Sequence, residues 1–393
     1  MIDHLFEVLF ALSVIASFIA SLYVLFTFVG IRRFRRGWRN PTRADFSPPV
    51  TLLKPLCGLD YELYENLRSF CQQDYPCYQI VFSVRASDDP ALGVVRRIMD
   101  EFPDNDIALV VDPRVHGANL KVSNLINSFS AAKHDILIIS DSDMRVCPDY
   151  VAQVSRSFGD TQVGVVTCLY RGISAGNFLS DLACLQINEW FLPSVLASGL
   201  LQGDRYCFGA TMAIRRDVLA RAGGLESLAN VLADDHMIGK IALSQGYRIE
   251  LSPYVVDNPT RENSFRALFA HELRWARTIW ILNPGGHIFS FLINTISVAI
   301  ICTAINHQTL DLDRIEWVVV ALAVVLRLAL HQIVSRALDV PRPAPYWMIP
   351  LRDILSFVIW AASFLSRDVR WRGKRFRTKP DGTLIQIGTT ETT

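Results

Sequence analysis

From Leu5 to Ile31 the chain carries one charged residue, Glu7, and then meets Arg32, Arg33, Arg35, Arg36, Arg39 and Arg43. An apolar helix of ~20 residues crosses roughly 30 Å of hydrocarbon, so this run predicts a membrane helix. It is longer than the apolar core of a signal peptide, and no small-residue cleavage site follows it. The positive-inside rule puts its arginine end in the cytosol and its N-terminus outside. The other reading, an uncleaved signal sequence serving as an anchor, also leaves the helix in the membrane.

Three more apolar runs lie near the C-terminus. Ile288–Ile305 is uncharged, Trp317–Leu338 is interrupted by Arg327, His331 and Arg336, and Tyr346–Leu365 by Arg352 and Asp353. Ionisable groups at membrane depth face a bundle interior or pair with one another. Arg352 and Asp353 therefore read as an ion pair near the interface, or as a contact to a lipid head group. The tail that follows, Arg367, Arg370, Arg372, Lys374, Arg375, Arg377 and Lys379, is basic and expected in the cytosol. Four full crossings from an outside N-terminus would leave it outside. One C-terminal segment is therefore expected to be re-entrant or interfacial, or not to cross.

Between these ends the pattern changes. From Ser47 to Asp257 short apolar strands alternate with amphipathic helical stretches, which predicts an α/β domain with a mainly parallel sheet. Strands are expected at Val50–Lys54, Gln79–Arg85, Ile107–Val111 and Ile136–Ser140. Helices are expected at Tyr61–Cys71, Pro90–Glu101, Asn119–Ser130 and Met237–Gln245. The division follows: 1–46 as anchor and basic juxtamembrane segment, 47–284 as a cytosolic catalytic domain, 285–366 as membrane or re-entrant helices, and 367–393 as a basic tail. A formal net charge of +1 does not suit a nucleic-acid binder. The eight cysteines form no Cys-x-x-Cys pair and no zinc spacing, so reduced thiols in a cytosolic compartment are expected.

In such sheets ligands bind beyond the carboxyl ends of the strands. Asp141-Ser142-Asp143 follows the strand Ile136–Ser140. Two carboxylates at i and i+2 after a buried strand are hard oxygen ligands, suited to Mg²⁺ or Mn²⁺ on a diphosphate. Asp88-Asp89-Pro90 follows Gln79–Arg85; Asp89 reads as a partner for a nucleotide base or as a helix cap. His116-Gly117-Ala118-Asn119-Leu120-Lys121 opens a helix, and Lys121 there reads as a phosphate ligand or as a surface lysine. Ala233-Asp234-Asp235-His236 precedes the helical stretch Met237–Gln245, and one aspartate reads as a general base or as a cap. His271-Glu272-Leu273-Arg274-Trp275 precedes the second apolar run. Arg274 and Trp275 read as interfacial anchors, or as a diphosphate clamp and an acceptor-site wall.

The order Asp, Asp-x-Asp, Asp-Asp, Arg-Trp, set between membrane helices, resembles the ceramide glucosyltransferase family, inverting transferases of the GT-A fold. LLKPLCG, SDDPA, GANLKVSNL, SDSDMRV, RRDVLARAGGL, ADDH and ELRW carry the resemblance from Val50 to Trp275. YENLRSFCQQDYP, DPRVHGANLKVSNLINS and VTCLYRG look closest to the bacterial hopanoid-biosynthesis branch. The resemblance implies a UDP-sugar donor, a hexosyltransferase or N-acetylhexosaminyltransferase activity, a lipid acceptor (hopanoid or ceramide) and the bacterial inner membrane, with the catalytic domain facing the cytosol. It implies nucleotide contact for Asp89, the metal and diphosphate site for Asp141 and Asp143, and the base role for Asp235. Arg274 and Trp275 match the Arg-Trp of the family's Gln-x-x-Arg-Trp motif, and His271 stands where the motif has Gln, on the donor side. The rival readings are a polyprenyl-phosphate glycosyltransferase and a nucleotide-binding transporter or receptor.

Overall fold

The computed structural model describes residues 2–39, 46–307, 315–371, 374–379 and 382–389. Arg43 and Arg372 of the two basic clusters lie outside the described residues. The chain forms two compact units. One draws on Arg36–Arg171, Gln202–Thr260 and Arg370–Thr393, the other on Met1–Arg35, Gly172–Leu201 and Arg261–Val369.

The first unit is an α/β domain. After helix α1 (Ile2–Arg39) come β1 (Val50–Pro55), α2 (Leu63–Cys71), β2 (Tyr78–Val84), α3 (Ala91–Glu101), β3 (Asp106–Val111), α4 (Leu120–Phe129) and β4 (Ile136–Ile139). Then follow α5 (Tyr150–Ser155), β5 (Val163–Ser174), α6 (Phe178–Leu185), α7 (Leu192–Gln202), β6 (Met212–Arg215), α8 (Arg216–Arg221), α9 (Asp234–Ser244) and β7 (Arg248–Thr260), with α6, α7 and α1 up to Arg35 in the other unit. The expected strands and helices of this region each form within two residues of the expected bounds, except that α9, expected from Met237, begins three residues earlier and takes Asp234 and Asp235 into its first turn. The sheet order is β3-β2-β1-β4-β6-β5-β7. β1 pairs in parallel with both β2 and β4, β2 with β3 likewise, and β6 runs antiparallel to β4 and β5. Chain direction around the sheet thus reverses between β1 and β4, and the crevice at such a switch point is where open α/β sheets take ligands.

Period-two alternation explains how both faces of the central strands bury. Leu52, Ile80, Phe82 and Ile138 enter one core; Leu53, Val81, Leu137 and Ile139 enter the other. Helix α3 covers the first core with Ala91, Leu92, Val95 and Ile98 and turns Arg96 and Arg97 to water, the spacing of an amphipathic helix. Helix α4 covers the second with Val122 and Leu125. Burying each such aliphatic side chain contributes roughly 1.5–3 kcal/mol. Ile138→Asp would leave an unpaired charge in the first core.

Strands β8 (Asp368–Trp371), β9 (Lys374–Thr378) and β10 (Leu384–Thr389) form a small second sheet. The last of these is tied to the loop before α9: Leu384 N–H donates to Asn230 O at 2.8 Å, and Leu232 N–H to Gly382 O at 3.0 Å.

The second unit is helical. It adds to α1, α6 and α7 the helices α10 (Phe265–Leu282), α11 (Pro284–Phe289), α12 (Thr295–His307), α13 (Ile315–Ala337) and α14 (Met348–Ser363). Val14–Gly37 and Trp317–Ala337 are long and apolar enough to cross a membrane. Pro284–Ile293 and Thr295–Ile305 qualify only as a pair bent by 78°, a broken span or a re-entrant loop. Helix α14, with 16 residues, falls short of a span. Among the described residues, two or three candidate spans therefore replace the four apolar runs. Close packing of α1 on α7 needs Gly30, where a Cβ would meet Leu196 O at 2.8 Å.

The expected Arg352–Asp353 pair is corrected. Adjacent residues on a helix point away from each other. Arg352 instead makes a buried two-pronged bridge to Glu272, at 2.8 and 2.6 Å. Asp353 accepts from the N–H and hydroxyl of Ser297 at 2.8 and 2.7 Å.

Candidate active site

The loop after β4 places Ser140-Asp141-Ser142-Asp143 at the switch point. Its backbone is held by Lys54, which rises from β1 fully buried over the ring of Phe70. Lys54 donates to Asp141 O at 2.5 Å and to Ser140 Oγ at 3.3 Å. Burial pulls the Lys54 ammonium down to about 7, against the opposing pull of Asp141, Asp143 and Asp60. Ser142 donates its hydroxyl to Asp60, from the loop after β1. Asp143 is half-buried and accepts from Asn258 Nδ2, at the end of β7, at 3.1 Å. Burial pushes Asp143 up to about 6, and the nearby Asp141 and Asp60 carboxylates push the same way.

The GANLK segment brings a second loop to the same place. Asn119 caps α4, its side chain accepting from Lys121 N–H and Val122 N–H, while its amide donates to Val231 O at 2.9 Å. Asn119 N–H also donates to Ala229 O. Gly117 is forced by this approach, because a Cβ there would stand 2.4 Å from Ala229 O. The stitching carries Lys121 to the start of α9. Its ammonium bridges Asp141 Oδ1 at 2.7 Å and Asp234 Oδ2 at 3.1 Å, and these carboxylates hold it charged despite its burial.

Asp235, next in α9, accepts from Gly209 N–H at 3.1 Å and His236 N–H at 2.7 Å. Burial pushes it up to about 6, followed by the charge of Asp234; Lys121 pulls the other way. A Cβ on Gly209 would stand 2.9 Å from Asp141 Oδ2 and 3.7 Å from Asp235 Oδ2. Both carboxylates therefore approach Gly209, which has no side chain to come between them.

Asp89 lies at another spot on the same sheet edge. Its carboxylate accepts from Gly58 N–H at 3.0 Å and Ala91 N–H at 2.9 Å, pinning the loops after β1 and β2 together and capping α3. His271, Arg274 and Trp275 stand on α10, in the helical unit. There the His271 ring packs on Trp275 with centroids 4.4 Å apart, and its Nδ1 lies 3.4 Å from Glu262. Lys54, Asp60, Gly209 and Asn258 were missed from the sequence. Their local patterns are ordinary, and only the lysine closing a run of buried strand residues offered a signal.

Five aspartates, at 60, 141, 143, 234 and 235, thus crowd two ammonium groups. Among the described residues no three His, Cys, Asp or Glu side chains are arranged to hold a metal ion by themselves. A small hard cation on a diphosphate takes one or two carboxylates and fills its other positions with water and phosphate oxygens. Asp141 and Asp143, hard oxygen donors two residues apart, could fill those one or two positions; burial first, and then the Asp141 and Asp60 charges, raise the Asp143 carboxyl.

The fold is that of the GT-A glycosyltransferases. It resembles the mannosyltransferase PcManGT from Pyrobaculum calidifontis, solved in complex with GDP-Man and Mn²⁺, at a TM-score of 0.54 and 18% identity, covering 92% of this chain and 99% of that one. Residues 10–384 match the model of glycosyl transferase family 21, and the chain belongs to that family. Ceramide glucosyltransferase 3 of Caenorhabditis elegans is 24% identical over 58% of this chain and 50% of its own length. Ceramide glucosyltransferase of Pyricularia oryzae is 21% identical over 91% and 92%. The chain spans about half the length of the Caenorhabditis relative.

Proposed function

We propose that this protein is a membrane-bound inverting hexosyltransferase that moves a sugar from a UDP-sugar to the hydroxyl of a lipid. The observation that carries this reading is the shared border of Asp141 and Asp235 at Gly209. It sets a diphosphate-type acidic loop beside a carboxylate raised toward neutral pH. Asp235 takes the proton of the lipid hydroxyl as that oxygen attacks the anomeric carbon. The bond from that carbon to the diphosphate breaks on the opposite face, the nucleoside diphosphate leaves with the electron pair, and an α-linked donor becomes a β-glycoside. A divalent cation, Mg²⁺ or Mn²⁺, held by Asp143 and Asp141 supplies charge that offsets the diphosphate when bound. Lys121 fixes Asp141 and Asp234 so that repulsion among the carboxylates does not splay the loops. Asp89 supports the nucleotide, and Arg274 and Trp275, with His271 beside them, serve the diphosphate and the acceptor on the strength of the motif they share with the family.

Ceramide is the acceptor favoured by the names of the curated relatives. A hopanoid polyol acceptor rests on the stretches at Tyr64, Asp112 and Val166 that resemble that branch. The arginines after α1 support a catalytic unit on the cytosolic face of the cytoplasmic membrane. The C-terminal strands pair with the catalytic unit at Asn230–Leu232, so an even number of crossings separates Thr260 from Arg370. With α13 as one, the bent pair before it is the other. A reporter inserted between His307 and Ile315 is expected on the outer side; a cytosolic reading there would remove this topology. Mass spectrometry of lipids formed with UDP-glucose or UDP-N-acetylglucosamine, on ceramide and on a hopanoid polyol, tests the activity. A hexose gain on ceramide or an N-acetylhexosamine gain on the hopanoid is expected, and release of UDP with no glycolipid would overturn the reading.

A further inference from the structure

The segment Asn230-Val231-Leu232, just ahead of α9, lies outside the helices and named strands, yet Val231 and Leu232 are buried. Buried main-chain groups need partners, and this segment takes several of its own from two distant stretches of chain. On one side stands the C-terminal strand. Leu384 N–H donates to Asn230 O, Leu232 N–H donates to Gly382 O, and Val231 faces Thr383 in an antiparallel bridge. On the other side stands the GANLK turn. Asn119 Nδ2 donates to Val231 O, Asn119 N–H to Ala229 O at 2.8 Å, and Ala118 N–H to Asn230 Oδ1 at 2.9 Å. All three stretches belong to the catalytic unit.

What this clamp holds is the start of α9. Ala233 stands at the N-cap of that helix and has no side-chain oxygen to accept from the first-turn N–H groups. The turn that carries Asp234 and Asp235 is therefore not fixed by a cap of its own. It is fixed by what precedes it, and Leu232 stands three residues before Asp235. The two aspartates also repel each other, so the turn has a reason to shift if it is released. The strand meets the segment in one register. Gly382 has a φ of +86°, in the left-handed region that favours glycine, and its N–H closes on Lys379 O at 3.0 Å. Main-chain groups along a strand turn alternately to either side. Gly382 O and Leu384 N–H turn to the segment, while Thr383 O accepts from Lys379 N–H at 2.9 Å.

Resting on the reading of Asp235 as the base, we infer that β10 is a positioning element for the reaction. Through Asn230–Leu232 it holds the start of α9 so that Asp235 meets the acceptor hydroxyl in one orientation. Gly382 and Leu384 are positioning residues, which act through Asp235.

The test uses the full chain in nanodiscs, with whichever of ceramide or a hopanoid polyol the wild type glycosylates. Leu384→Pro deletes the N–H that donates to Asn230 and leaves the Lys379–Thr383 bond in place. A fall in kcat of about tenfold or more is expected, because a small misplacement of a reacting group is costly. Binding of UDP and Mn²⁺ is expected to stay near the wild-type value, since Lys54 and Lys121 still hold Asp141. Ile385→Ala, at an exposed side chain of the same strand, is expected to leave kcat unchanged. In the Asp235→Asn background Leu384→Pro is expected to change kcat little, because a base that is absent cannot be misplaced. A kcat within about threefold of wild type in Leu384→Pro overturns the inference, as does an equal loss in Ile385→Ala or a full further loss in the Asp235→Asn background. Those results leave the proposed activity standing. A wild type that glycosylates neither lipid, or an Asp235→Asn variant as fast as the wild type, defeats the reading on which the inference rests. If Leu384→Pro does not fold, as judged by UDP binding, Gly382→Val decides, since a branched side chain disfavours the left-handed backbone. Loss of folding in both overturns the inference, because the strand would then serve the fold rather than the base.

Discussion

Replacing Asp235 with asparagine keeps the shape of the side chain and its acceptor oxygen, so the hydrogen bond from Gly209 N–H survives. What is lost is the ability to take a proton. A positioned general base contributes about 10²- to 10⁴-fold, so kcat is expected to fall by that factor while the donor KM stays near the wild-type value. Stability should move the other way. Asp235 is lifted from 3.8 to about 6 by burial and by Asp234. A folded value above the unfolded one means that the native state prefers the protonated form. The stabilisation it brings is present below about pH 4 and lost as pH rises through about 6. At pH 7.5 the wild type therefore carries a charge it would rather not hold, costing on the order of 1–2 kcal/mol once partial exposure is allowed for. Asparagine escapes that cost. Glycolipid formation followed by mass spectrometry gives the rate, and thermal unfolding at pH 4 and pH 7.5 gives the stability. The variant should equal the wild type at pH 4 and unfold at a higher temperature at pH 7.5. A kcat within about threefold of wild type would refute the base role, and a lower unfolding temperature at pH 7.5 would refute the charge crowding.

Three further outcomes follow from the same geometry. The rate of the wild type at saturating metal should fall as pH drops through about 6, where Asp235 protonates, and the Asp235→Asn residual rate should lack that limb; an identical pH profile in both would count against the assignment. Gly209→Ala puts a methyl 2.9 Å from Asp141 Oδ2, so donor KM is expected to rise about tenfold or more, roughly 1.4 kcal/mol, with the unfolding temperature little changed; isothermal titration with UDP and Mn²⁺ checks it. Glu272→Gln strands the buried Arg352 guanidinium and should destabilise the helical unit by about 3–5 kcal/mol, read as loss of folded protein in detergent, whereas removing the exposed Arg221–Asp217 pair should change little.

Much of the α/β unit was legible because its physics is local. The buried runs at Val50, Tyr78 and Ile136 are hydrophobic on both faces, which only a covered parallel sheet tolerates. Asp141, Asp143 and Asp235 were visible as acidic groups at element ends for the same reason. Their company was not. Lys54 reads as the last residue of a strand, and nothing in its neighbourhood announces that it ends under Asp141. Asp60 and Asn258 are likewise drawn to Ser142 and Asp143 from more than eighty and one hundred residues away.

The membrane segments divide in the same way. The sequence alone determined that the ends of the chain are apolar and bounded by arginines, since hydropathy and charge are sums over neighbours along the chain. The partners of the buried charges were decided only by tertiary structure. Arg352 sits beside Asp353 yet bridges Glu272, because neighbours on a helix diverge while residues on packed helices meet. Gly117 and Gly209 make the same point in reverse: each is unremarkable in the sequence, and each is required because another segment, folded in from afar, occupies the space where a side chain would be.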